Sequence, residues 1–242
     1  MNNYFLNDIL YLLPEIFFIF SIIVILVYSI FMSNKYILLN NKKYNTPIIT
    51  SIVNNLIIYF MSILLILYFL NINNFKILFT GQFVINYYTQ IGKILILIIA
   101  ILCLLTFNSY LKNNKINNYE YLILIAISIL SICLLLNTND LLHYYIIIEL
   151  QSLCFYTITA LKKNNIYSSE AGLKYFILGS IISGLLLLGI ALLYGMTGLT
   201  NLKELSLFLL TTKYNKVIIF SFLFLKTFFS IIFLFSTNEG KT

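Results

Sequence analysis

The 242-residue sequence contains no tryptophan, and none of its fifteen basic residues is arginine. Only 10% of its residues are charged, one is histidine and three are cysteine. Each scarcity excludes something. Soluble domains are about 25% charged, so a water-soluble globule is excluded for want of polar surface. Cys103, Cys133 and Cys154 each fall inside an apolar run without CxxC spacing. That excludes a disulfide framework or thiolate metal site and leaves small packing residues. A single histidine and scattered carboxylates offer no ligand cluster for a metal. The lysines bring the net charge to +7, but they lie scattered between apolar runs. No basic patch with interleaved aromatics forms, which argues against a nucleic-acid partner. The opening MNNYFLNDILYLLPEIFF lacks a basic start and a small-residue cleavage site, so neither a removable signal nor a transit peptide is expected there.

What the sequence does have is apolar length. It is 61% hydrophobic, with a mean hydropathy of +0.96. Its richness in Asn, Ile, Phe, Tyr and Lys points to an AT-rich genome, organellar or microbial. A hydrocarbon core of about 30 Å needs about 20 apolar residues of helix. By that ruler seven spans are expected, near 9–31, 47–70, 91–111, 119–137, 140–161, 170–195 and 217–235. Backbone groups cannot stay unpaired in lipid, so the spans must be helices. Barrel strands would alternate in short segments, and these runs are continuous. The fold class is therefore all-α and polytopic.

Lysine placement orients the bundle. The first loop carries Lys35, Lys42 and Lys43, the third Lys112 and Lys115, and the fifth Lys162 and Lys163. The N-terminal tail and the fourth loop have none, so the odd loops face the cytoplasm or the mitochondrial matrix. The sixth loop departs from the pattern with Lys203, Lys213 and Lys216, and its TNLKELSLFLL stretch is expected to form a short interfacial helix. The sixth span carries small residues at close spacing (GSIISG, 179–184), which allow close helix approach.

Ionisable groups within the spans are few. Glu149 falls near the centre of the fifth span and Lys226 near the centre of the seventh. Each costs about 2.5–3.5 kcal/mol on insertion scales, so such residues face the bundle interior and find partners. Apolar replacements of a buried ion pair are often as stable, so their presence points to use. Burial and an opposite charge push a titratable group in contrary directions, which makes a movable partner a proton gate. Lys174 follows Glu170 by one helical turn, a favourable pair. Glu15, after Pro14, is expected at the membrane surface. Lys93, at the start of the third span, is expected to snorkel outward. His143 is expected to be a structural hydrogen-bonder or the mouth of a proton path. The terminal GKT (240–242) lacks the earlier glycine of a phosphate loop, since position 235 is Phe.

The run from Asn139 to Leu202, with ELQSLCFY, EAGLKYFILG and LLYGMTG in order, closely resembles subunit 2 of the proton-pumping NADH:ubiquinone oxidoreductase, respiratory complex I. LLPEIFF and FVINYYTQIGKILIL are similar to that family's first helix and its approach to the third. The resemblance implies an antiporter-like membrane subunit, built in the family from two inverted five-helix repeats. Residues 1–115 would hold spans 1–3, and 116–242 the first part of a repeat, with the downstream helices expected on another chain. It implies that Glu149 pairs with Lys226 and that Lys174 links the pair to the matrix side. The segment KTFFSIIFLFSTNEGKT lacks the family's Pro, His and Trp. No redox group is implied in this chain; NAD, FMN, iron–sulfur clusters and ubiquinone belong to other subunits. The implied setting is the membrane arm in the mitochondrial inner membrane, the N-terminus on the intermembrane-space side, with other arm subunits and lipids as partners. The alternatives are an Mrp-type cation/proton antiporter subunit and a shortened, non-pumping structural subunit.

Overall fold

The computed structural model describes residues 8–39, 46–71, 75–113, 119–162 and 165–211. The seventh expected span, with Lys226, lies outside them. The described elements are α1 (Leu13–Leu39), α2 (Thr46–Leu70), a hairpin of β1 (Lys76–Leu78) and β2 (Phe83–Ile85) around a 3-10 turn (Phe79–Gly81), α3 (Tyr87–Asn113), α4 (Tyr119–Leu135), α5 (Leu141–Thr159), α6 (Ile166–Thr197) and α7 (Leu202–Thr211). Helices α1, α2, α3, α5 and α6 are long and apolar enough to cross a membrane, and α4 is a shorter apolar helix. They are the first six expected spans, and α7 falls on the TNLKELSLFLL stretch.

Local chemistry sets the ends. Pro14 follows the turn at Leu12 that separates the helical residues 8–11 from α1, a break that fits proline's missing N–H. Helix α3 begins before the expected residue 91 because Thr89 closes its first turn. Its Oγ1 accepts from Asn86 N at 2.9 Å and donates to Asn86 O at 2.8 Å. Helix α6 likewise starts early, capped by Asn165, whose side chain accepts from Tyr167 N at 3.2 Å. It ends on Gly198, whose φ of +68° lets its N–H reach Tyr194 O at 2.7 Å.

Helices α1 to α4 share one core, in which Phe18, Ile25, Val53, Met61, Leu97 and Leu122 are buried together. Helix α5 packs on α4, and α6 on α5. Two glycines set the second of these contacts. A Cβ on Gly172 would lie 2.7 Å from Ala160 Cβ, and one on Gly179 would lie 1.8 Å from Tyr156 Oη. Much of the remaining apolar surface, including Phe20, Phe31, Leu102 and Ile181, points outward, as suits a lipid-facing bundle.

The hairpin was not expected from the sequence. It sits at the end of the bundle where α1, α3 and α5 begin and α2, α4 and α6 finish. Val84 N donates to Asn137 O at 2.8 Å, and Asn139 N donates to Gln82 O at 2.8 Å. At the tip, Phe79 N donates to Asp8 Oδ2 at 3.1 Å. The Gly81 carbonyl accepts from Asn139 Nδ2 at 2.8 Å and from Asn201 Nδ2 at 3.1 Å. Phe79, Thr80 and Gly81 all have positive φ, at 49°, 54° and 93°. For the two non-glycine residues this conformation is unfavourable by about 1–2 kcal/mol each, and the bonds from three chain segments hold it. The hairpin is a clasp joining the N-terminal region, the α4–α5 connection and the α6–α7 connection.

Candidate functional site

Beneath the clasp lies a buried ion pair. Lys93 Nζ is 2.5 Å from Glu15 Oε1, and the two side chains are 0% and 4% exposed. Asn137 Nδ2 donates to the same carboxylate oxygen at 3.2 Å. The Lys93 ammonium stands 4.8 Å from the centroid of the Tyr68 ring, within cation–π range. Helices α1 and α3 supply the charges, the end of α2 supplies the ring, and the second residue beyond α4 supplies the amide. The Tyr68 hydroxyl lies within electrostatic reach of Glu15 but makes no hydrogen bond of ordinary length. Glu15 Oε2 and Asn137 Oδ1 are also buried without a hydrogen-bond partner among the described residues.

This overturns two expectations. Glu15 is enclosed by the bundle instead of facing solvent, and the Lys93 side chain points inward instead of snorkelling. Helix α3 starts at Tyr87, which puts Lys93 about 9 Å along the helix axis from its start, beneath the hairpin. An inward carboxylate at matching depth then outweighs an outward reach to water. The signal was available. In an up-and-down bundle the first and third spans begin on the same side, so an acid near one start and a base near the other lie at similar depth.

The expected site residues lie elsewhere. Helix α5 has 19 residues, and Glu149 is near its midpoint. It is half-buried, and its Oε2 is buried with no hydrogen-bond partner among the described residues. Its backbone carbonyl accepts from the Ser152 hydroxyl at 2.8 Å. Lys174 is on α6, the helix packed against α5, and forms the expected pair with Glu170 at 2.8 Å. Those side chains are 66% and 54% exposed, on the outside of this chain. Lys226 lies outside the described residues, so its pairing with Glu149 stays a proposal. His143 Nδ1 is 2.8 Å from Asp140 Oδ2, with the His143 side chain 34% exposed and Asp140 buried. The ring of His143 also meets Phe83 of the clasp edge-on, at 5.3 Å between centroids. Among the described residues no three His, Cys, Asp or Glu side chains gather to hold a metal, and all three cysteines are free.

Residues 138–236 match the family described as NADH:quinone oxidoreductase/Mrp antiporter, transmembrane region. The chain is 36% identical over 204 residues to NADH-ubiquinone oxidoreductase chain 2 of Marchantia polymorpha, covering 84% of this chain and 40% of that protein. It is 36% identical over 197 residues to NADH-quinone oxidoreductase subunit N of Pelagibacter ubique, covering 81% of this chain and 39% of that protein. The chain thus spans about two fifths of the length of these relatives. The fold is also found in solved structures at 21% identity. A chain of respiratory complex I from Thermus thermophilus superposes with a TM-score of 0.52, covering 75% of this chain and 38% of that one. A chain of an archaeal membrane-bound sulfane sulfur reductase superposes with a TM-score of 0.57, covering 83% of this chain and 40% of that one. Six apolar helices in an antiporter-like arrangement and sequence identity along most of the chain agree. Over the part of their length that it spans, this chain belongs with the chain 2/subunit N proteins of the NADH:quinone oxidoreductases.

Proposed function

We propose that this chain is a membrane-arm subunit of a respiratory NADH:ubiquinone oxidoreductase and takes part in proton translocation there. The observation that carries the reading is Glu149: a carboxylate midway along a helix long and apolar enough to span the bilayer, with one oxygen buried and unpartnered among the described residues. An intramembrane carboxylate is costly, and family membership supplies a use for it. Glu149 would alternate between pairing with Lys226 and standing apart. Lys226 would hold and release the proton, and Lys174 would pass it toward the matrix side. Moving one charge against the membrane potential costs about 2.3 kcal/mol per 100 mV, the same scale as separating one buried pair.

On this reading NAD, FMN, iron–sulfur clusters and ubiquinone are handled by other subunits, and the chain sits in the mitochondrial inner membrane with its N-terminus on the intermembrane-space side. Residues 1–115 would form the N-terminal helices and 116–242 the first part of the antiporter-like repeat. The relatives' remaining length would complete the second repeat, and mass spectrometry of the intact complex tests whether a separate chain carries it. Glu149→Gln in the assembled complex is the direct test of function. Assembly and NADH oxidation should persist while pumped protons per electron fall; an unchanged ratio rejects the role of Glu149. The matched family also includes Mrp antiporters, which keeps an ion/proton antiporter subunit as a second reading. That reading wins if loss of the chain leaves membrane NADH oxidation intact.

A further inference from the structure

We propose that the Glu15–Lys93 pair is a second, hydrated proton-exchange site whose ligand is water. The water would reach it from the His143 end of the bundle by way of Asn137 and Asp140. Its role in proton traffic rests on the function proposed above; its hydration does not.

The case begins with unmet hydrogen bonds. Glu15 Oε2, Asn137 Oδ1, Tyr68 Oη and Asp140 Oδ1 are all buried and make no hydrogen bond of ordinary length among the described residues, though Tyr68 lies within electrostatic reach of Glu15. Gln90 Oε1, on α3 one turn before Lys93, is in the same condition. A buried polar atom left unsatisfied carries its full desolvation penalty. The usual remedy is an internal water, which needs two to four polar partners. Glu15, Asn137 and Tyr68 supply them around one carboxylate. Those oxygens accept hydrogen bonds and the Tyr68 hydroxyl donates one, so a water held there has both kinds of partner.

Continuity is the second strand. Asn137, Asn139 and Asp140 follow one another along the α4–α5 connection, and all three are buried. Asp140 is bonded to His143, which is partly open to the outside. Polar residues thus mark the connection between the partly open His143 and the Asn137 amide on the ion pair, beside the hairpin residues Gln82 and Val84 that bond residues 139 and 137. The chemistry is compact. A hydronium arriving on the bound water gives its proton to Glu15 Oε2, so one O–H bond of the hydronium breaks and one forms on the carboxyl. Lys93 stays charged and holds the neutral acid through Oε1. Return of the proton to water restores the ion pair. The groups that face the exchange are Lys93, Tyr68 and Cys133, the last within electrostatic reach of both charges.

A structural lock and a proton site predict different things of an apolar replacement. In the assembled complex, the double variant Glu15→Leu with Lys93→Met should assemble and oxidise NADH but pump fewer protons per electron than the parent. Glu15→Gln, which keeps the side chain's shape and its bond to Asn137, should show the same loss. An unchanged ratio in the double variant overturns the proposal. If the double variant does not assemble, an unchanged ratio in Glu15→Gln overturns it equally. Glu149→Gln, measured beside them, separates the two readings. A defect there with normal Glu15 variants rejects this site alone, and the reverse rejects Glu149 and keeps this site.

Discussion

Replacing Lys93 by methionine removes a charge from a place where its partner cannot follow. Glu15 would keep one hydrogen bond, from Asn137 at 3.2 Å, and would lose the ammonium at 2.5 Å, the same cation that sits over the Tyr68 ring. With both side chains of the pair enclosed, no reorientation brings the carboxylate to bulk water without opening the bundle around it. Breaking a buried pair from one side costs about 3–5 kcal/mol. Whole domains are stable by about 5–15 kcal/mol, so the loss takes a large share. Adding Glu15→Leu removes the stranded charge, and apolar replacement of a buried pair is neutral or stabilising by about 1–4 kcal/mol. The assay is retention of the chain in the detergent-solubilised complex on a temperature ramp, read by native electrophoresis. Lys93→Met should release the chain well below the parent's temperature, and the double variant should recover most of the difference. A single variant as stable as the parent refutes the coupling, and so does a double variant as damaged as the single.

Other expectations follow from packing. Gly179→Ala should push α6 off α5, because the new Cβ falls 1.8 Å from Tyr156 Oη. The loss should shrink when Tyr156→Leu is added, and equal instability with and without that second change would show that the contact does not set the helix spacing. Asn139→Ala removes two donated bonds, to Gly81 O and Asn201 Oδ1. It should destabilise the clasp by about 1–3 kcal/mol, seen as faster hydrogen exchange at Val84 and Phe79. Unaltered exchange there would mean the strained turn is held by other means.

The helices could be read from the sequence because hydropathy averages over twenty residues, and a few polar residues at an end hardly move the average. The same averaging hid where α3 starts. Tyr87 to Gln90 read as loop by composition, while Thr89 and Asn86 bind one another and extend the helix. That shift of one turn is what turned Lys93 from a boundary residue into a buried one. The hairpin went unread because FKILFTGQFVI, two apolar runs around a glycine with a strand's signature, falls between the second and third expected spans, where hydropathy shows only a connection. Glu149 stands out in the sequence by its cost alone, and its role is the one proposed above. Glu15 and Lys93 needed the depth of two spans compared, since each alone resembles an ordinary interfacial charge.

The ion pair joins residues 78 positions apart in sequence, and this has a consequence for biogenesis. Chains grow at roughly 5–20 residues per second, so Glu15 emerges roughly 4–16 seconds before Lys93 exists. Throughout that interval the first helix carries a carboxylate with no cation to meet it. The clasp closes later still, since its bonds draw on Asp8, Gly81, Asn139 and Asn201. The first helix must therefore wait, shallow or shielded by the insertion machinery, until the third arrives. An arrest placed between residues 15 and 93 would catch α1 unseated, and one placed after Asn201 would find it locked.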